Sequence, residues 1–381
     1  MAAPAMVLDA GRIGAQAARL ERDLRQRIVG QDEAIEHVVR AYQTHLAGLN
    51  NPDRPVATFL FLGPTGSGKT RMVEALAESL AGDARAVVKI DCAEYQHGHE
   101  IAKLIGSPPG YLGHRETHPL LSQDNLDQYH SEHCRLSFVL FDEIEKASPA
   151  LWNLLLGILD KGRLTLGDNH VVDFSRALIF MTSNLGSAEM SALIAPGMGF
   201  TGSTPQNGAG LERKIARAGT DAARRKFTPE FMNRIDAAVV FRPLDHGDLR
   251  AILDLELGYV QQGLLASARG VRFRFECSDG AKDFLLREGT DARYGARHLK
   301  RAVERRLVQP LAGLITTDQV QAGEKVMIEV SPDTGSLLFT KQPVEEEAGD
   351  WAGERKPDAP ALAPLIAAAA REARAARRRS G

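Results

Sequence analysis

Apolar residues in this chain gather into short unbroken runs separated by longer stretches of helical spacing. Thr58-Phe59-Leu60-Phe61-Leu62, Phe138-Val139-Leu140-Phe141 and Ala177 to Met181 show no polar alternation, the pattern of strands buried on both faces of a parallel sheet. Arg71 to Leu80 instead carries apolar residues at helical intervals, directly after the first run and a glycine-rich stretch. Another helix is expected after Ser148-Pro149, a capping residue followed by a proline at the first turn. Alternation of this kind predicts an α/β domain with a parallel sheet over residues 20–242. Beyond Arg242-Pro243-Leu244 the pattern turns to helices near Leu249 to Ala268, Ser278 to Leu286 and Arg297 to Ile315, with a last strand near Lys325 to Val330. That is a smaller, mainly helical domain over 243–340. Residues 1–19 read as a short N-terminal extension. The acid-, proline-, alanine- and arginine-rich stretch 341–381 reads as a disordered tail.

The glycine-rich stretch is Gly63-Pro64-Thr65-Gly66-Ser67-Gly68-Lys69-Thr70. Set between a strand and a helix, it is a phosphate-binding loop: glycines let backbone N–H groups face an anion, and the helix N-terminus adds its dipole. Lys69 would reach the terminal phosphates of a nucleoside triphosphate, and the Thr70 hydroxyl would hold Mg²⁺. The run Phe138 to Phe141 ends in Asp142-Glu143, which an open α/β sheet delivers at its C-terminal edge near that loop. Asp142 suits a hold on Mg²⁺, and Glu143 suits the base that orients and deprotonates an attacking water. The third run leads into Thr182-Ser183-Asn184, placing Asn184 to contact the γ-phosphate or the water.

At this point the chain resembles the Clp-type AAA+ ATPases, and most closely the second ATPase module of the ClpA, ClpB and ClpC unfoldases. The resemblance is carried by ordered segments: Arg27 to Ala34, the phosphate loop, Gly106 to Gly113, Phe141 to Ala147, Asp160 to Thr165, Met181 to Gly186, Pro229 to Asp236 and Tyr294 to Arg297. It implies an AAA+ P-loop NTPase fold, with a parallel-sheet large domain followed by a small helical one. It also implies ATP and Mg²⁺ as ligands, with Ile28 and Val29 packing on the adenine. Arg234 matches the arginine finger that completes a neighbouring subunit's site, for which the bland alternative is a surface ion pair with Asp236. Arg297 matches the second sensor arginine. A finger acting in trans implies a ring, here a homo-hexamer.

By the same resemblance, Tyr111 and Leu112, set between glycines, belong to a loop that grips an extended polypeptide in a central pore. An aromatic ring suits that task because its contact is area and polarisability more than directed hydrogen bonds. Asp160 to Val172 resembles a second pore loop. The implied function is an ATP-dependent unfoldase or remodelling chaperone. Met198-Gly199-Phe200 offers a departure from the tripeptide with which relatives dock a separate Clp-type peptidase, so a regulatory subunit for such a peptidase is an alternative. The rival from another class is a nucleic-acid motor or switch. A formal net charge of −2, with no concentrated lysine run in the core, argues against it. No run is long enough to span a bilayer. The 3 cysteines, Cys92, Cys134 and Cys277, have no paired spacing, which fits a reducing cytoplasm. Of the 11 histidines, His97, His99, His114, His118, His130 and His133 cluster around the tyrosine loop, where solvation is the default and a metal or pH effect the alternative.

Overall fold

The computed structural model describes residues 9, 11–107, 119–194, 209–266, 271–289 and 296–342. The chain forms two compact units, one built from Met1–Gly63 and Gly68–Arg242 and the other from Pro64–Ser67 together with Pro243 onward.

The first unit contains strands β1 (Ala57–Leu62), β2 (Val88–Asp91), β3 (Ser137–Asp142), β4 (Arg163–Thr165), β5 (Val171–Asp173), β6 (Ala177–Ser183) and β7 (Ala237–Val240). Its helices are α1 (Ala15–Arg27), α2 (Asp32–Leu46), α3 (Lys69–Ala81), α4 (Ala102–Ile105), α5 (Gln123–Asp127), α6 (Pro149–Lys161), α7 (Ser187–Ile194), α8 (Ala209–Lys226) and α9 (Pro229–Met232). Five strands make one parallel sheet in the order β2-β3-β6-β1-β7, so β6 lies between β1 and β3.

The unbroken apolar runs are explained by burial on both sides. Every residue of β1 and β6 is buried. Phe59, Phe61, Phe138, Leu140, Leu178 and Phe180 face a core shared with α1, α2 and α3. Their alternates Leu60, Leu62, Val139, Phe141, Ile179 and Met181 face a second core that includes Leu151, Leu155, Ile158 and Leu159 of α6. Aromatic rings stitch neighbouring strands: Phe59 stacks on Phe180 with centroids 5.4 Å apart, and Phe61 meets Phe241 at 4.8 Å. Since side chains fill both faces, polar groups of these strands can be placed only at their ends.

The stretch expected to be a second pore loop is a hairpin, β4 paired antiparallel with β5. Its tip is anchored. The Gly167 N–H donates to the Ile105 carbonyl at 2.7 Å, and a Cβ on Gly167 would lie 2.6 Å from the Gly106 carbonyl oxygen. Nearby, the N–H groups of Leu120 and Leu121 donate to the carbonyls of Lys103 (3.2 Å) and Leu104 (3.0 Å).

The second unit comprises α10 (His246–Ala266), β8 (Arg274–Cys277), α11 (Asp279–Gly289), α12 (Ala296–Val303), α13 (Gln309–Thr316), β9 (Lys325–Val330) and β10 (Leu337–Gln342). Strand β9 sits between β10, antiparallel, and β8, parallel. The single long helix expected over Arg297 to Ile315 is interrupted by a π turn at Glu304–Val308. Pro310, in the first turn of α13, has no N–H for a helical bond, and the wider turn accommodates it. Among the described residues no helix is long and apolar enough to cross a membrane.

Candidate active site

The phosphate loop begins where β1 stops. Gly63 has φ of 146°, and a Cβ there would sit 2.5 Å from the Phe241 carbonyl oxygen, so only glycine fits the strand end against the segment after β7. Pro64, Thr65, Gly66 and Ser67 form the tip, with Gly66 at φ 79°. Gly68, at φ 101°, enters α3 in the left-handed conformation, and no side chain caps that helix start. Amides opening a helix without a side-chain cap suit an anion. Lys69 is buried, and its ammonium donates to the Gly63 carbonyl at 2.6 Å and to Asn184 Oδ1 at 2.9 Å. Thr70, next on α3, is half-buried.

The acidic residues arrive on β3, one strand further than direct adjacency to the loop, and the end of β6 fills the gap. Thr182 on β6 connects them: its hydroxyl donates to Asp142 Oδ1 and accepts from the Glu143 N–H at 3.1 Å. Lys89 on β2 pairs with Asp142 Oδ2 at 3.5 Å. Glu143 takes a left-handed backbone, φ 58° and ψ 48°, a conformation that costs a non-glycine residue energy. Its Oε2 meets the Lys146 ammonium at 2.5 Å, and its Oε1 accepts from Asn184 Nδ2 at 3.3 Å. Hydrogen bonding to Glu143 holds the Lys146 ammonium pKa above its ordinary value. The Asn184 N–H donates to Glu145 Oε1 at 3.1 Å. Asn184 therefore joins Lys69 of the phosphate loop to Glu143 at the end of β3.

Oxygen donors at Thr70 and Asp142 match the preference of Mg²⁺ for hard ligands, so the residues present fit that ion. The cap expected at Ser148 is only half realised. Ser148 has the extended cap backbone and Pro149 opens α6, but the hydroxyl makes no capping bond and is buried without a partner. Glu143, at the N-cap of the turn that follows, makes no side-chain cap either.

Elsewhere in the first unit, Ile28 is buried just past α1 and Val29 is half-buried. The buried Gln31 brackets the Arg242 backbone, donating to its carbonyl at 3.0 Å and accepting from its N–H at 3.1 Å. Arg234 pairs with Asp160 at 2.6 Å and more distantly with Glu230 at 3.7 Å. Asp236, the alternative partner, instead accepts from the Thr58 N–H at 2.7 Å and lies 3.9 Å from Arg54. Arg297 is exposed on α12 of the second unit. Tyr111 and Leu112 lie outside the described residues, as do Met198, Gly199 and Phe200.

The His97 and His99 rings stack at 5.7 Å, and among the described residues no group of three or more His, Cys, Asp or Glu could hold a metal. All three cysteines are free; burial pushes the Cys277 thiol up to about 11 and raises that of Cys92. Sequence reasoning passed over Thr182, Glu145, Lys146, Lys89 and Gln31 as site residues. Thr182, Glu145, Lys146 and Gln31 stand within segments already singled out, whereas Lys89, on the short strand β2, carries no local signal.

A family profile for the AAA domain (Cdc48 subfamily) matches residues 54–238, and one for the C-terminal D2-small domain of ClpB protein matches residues 244–328. The chain is 40% identical to the chaperone protein ClpB of Bdellovibrio bacteriovorus over 315 residues, which is 83% of this chain and 34% of that protein. It is 42% identical to ClpB of Meiothermus ruber over 314 residues, 82% of this chain and 34% of that one. It thus spans about a third of the length of these curated relatives. A chain in a closed-state cryo-EM reconstruction of Hsp104 with ATPγS and FITC casein superposes with a TM-score of 0.69 at 31% identity, covering 86% of this chain and 52% of that one. Profiles matching in tandem on the two units, with relatives aligned across both, place the chain in the Clp-type AAA ATPase family, with the AAA module followed by the ClpB-type D2-small domain.

Proposed function

We propose that this chain hydrolyses Mg·ATP and couples the cycle to pulling on polypeptides, as part of a homo-hexameric ring. The observation that carries the first half is the hydrogen-bonded line from Lys69 through Asn184 to Glu143, which joins a phosphate-binding lysine to a carboxylate suited to act on water. Lys69 and the amides at the start of α3 would take the β- and γ-phosphates. Thr70 and Asp142 would hold Mg²⁺, which when bound offsets phosphate charge. Glu143 would orient a water in line with the γ-phosphorus and accept its proton, with Asn184 keeping the carboxylate in place. Ile28 and Val29 would pack on the adenine, Arg234 would complete a neighbouring subunit's site, and Arg297 would report the nucleotide to the second unit.

The polypeptide half is supported by the ClpB relatives and by the casein present in the Hsp104 reconstruction. It assigns the grip to Tyr111 and Leu112. The test is ATP hydrolysis with and without casein, in wild type and Tyr111→Ala. Casein stimulation that is lost in the variant, with basal turnover intact, is the expected result. Turnover indifferent to casein and to Tyr111 would overturn the threading reading and leave a nucleic-acid motor or switch, tested next by stimulation with DNA.

A further inference from the structure

The turn after Glu143 is more than a connection to α6. Residues Ile144–Lys146 form a single 3-10 turn, closed by the Lys146 N–H on the Glu143 carbonyl at 2.9 Å and the Ala147 N–H on the Ile144 carbonyl at 3.2 Å. The Trp152 indole N–H, from α6, donates to the Ile144 carbonyl at 3.1 Å and ties the turn to that helix. In a 3-10 turn the side chains at i and i+3 stand one above the other, which brings Lys146 over Glu143. The next acid, Glu145, reaches in another direction and holds the Asn184 backbone. One turn therefore fixes both residues of the Asn184–Glu143 contact.

We infer that Lys146 is a positioning residue for hydrolysis, fixing the Glu143 carboxylate through their contact so that Asn184 and Lys69 hold it in one register with the phosphate loop. This rests on Glu143 acting as the base. The Glu143 side chain is 34% exposed and stands on a left-handed backbone, so without a second donor only the 3.3 Å contact from Asn184 would restrain it. The Lys146 side chain is 48% exposed and buries little, so an ion pair of this kind adds little to folding. A base, however, must lie within about 3 Å of the atom whose proton it takes, and there position decides the rate.

Steady-state hydrolysis by the full chain separates the possibilities. Lys146→Ala should lower kcat by about ten- to a hundredfold, the scale of a misplaced catalytic group, with KM for ATP unchanged. Lys146→Arg, which keeps a cation within reach, should recover most of the rate, and the thermal midpoint should not move in either variant. A Lys146→Ala enzyme with wild-type or faster turnover overturns the inference, as does a loss that Lys146→Arg fails to rescue or one that appears in KM. Glu143→Gln, measured beside them, isolates the underlying reading: if it hydrolyses ATP normally, Glu143 is not the base. If it is inactive while Lys146→Ala is normal, only the positioning role fails.

Discussion

Two sheets in this molecule follow different rules. In the first unit, β1, β3 and β6 are buried on both faces; apart from the buried Thr58 and Ser137 near the strand starts, their polar residues lie at the C-terminal ends, where Asp142, Thr182, Ser183 and the following Glu143 and Asn184 collect. In the second unit, buried, half-buried and exposed residues mix along β9, and β8 has no fully buried residue. Polar side chains such as Glu276 and Lys325 are spread along those strands and pair across them at 2.6 Å. A sheet covered on both faces has nowhere but its edge to put chemistry. A sheet with a wet face disperses its charge and concentrates none.

The sharpest way to break that contrast is to neutralise one acid in each sheet. Glu143→Gln should reduce ATP turnover by about 10²–10⁴-fold. Glu276→Gln, a carboxylate on exposed β8, should leave turnover unchanged; comparable losses would end the comparison. Next comes packing. Phe180→Ala, fully buried in β6, should cost about 3–5 kcal/mol in urea unfolding. Leu338→Ala on β10, 45% exposed, should cost less than about 1 kcal/mol.

Glycines give a smaller version of the same test. Gly63→Ala forces a Cβ to 2.5 Å from a carbonyl and should cost about 2–3 kcal/mol, whereas Gly335→Ala, at φ 63° with nothing within 4 Å, should cost about 1 kcal/mol for backbone strain alone. Both are read from denaturant midpoints.

The least effect is expected in the β4–β5 hairpin, which lies in the first unit but is open to water, with Val171 60% exposed. There His170 Nδ1 pairs with Asp168 Oδ2 at 2.9 Å, which raises the imidazole pKa and lowers that of the carboxyl. A raised histidine pKa means the pairing contributes fully below the ordinary value of about 6.5 and is lost as pH rises through the higher folded midpoint. An NMR titration of His170 should show a midpoint above 6.5 that falls back in Asp168→Asn, with no measurable change in unfolding. A midpoint at or below 6.5 would remove the pair.

What could be read from the sequence follows the same division. The doubly buried strands announced themselves as unbroken apolar runs. Strand β2 is four residues long with lysine and aspartate in it, the hairpin reads as a loop, and β8 and β10 alternate too weakly to stand out. Glu143 and Asn184 stand out in the sequence because each follows an apolar run, and Lys69 because it closes a glycine-rich loop. Their contacts do not, since they depend on β6 lying between β1 and β3, an order set by crossovers far apart in the chain. For the same reason the Asp160 partner of Arg234, 74 positions away, was out of reach of any local pattern.

The anchored feet of the 108–118 segment carry a last consequence. The chain leaves at Ser107 and returns at Pro119, and the flanking backbone is tied by Leu120 to Lys103, Leu121 to Leu104 and Gly167 to Ile105. Those bonds use main-chain groups only, so they do not depend on the identity of the side chains that flank them. Exchanging the exposed Lys103 side chain therefore leaves its tie in place, as a splice survives a change of insulation.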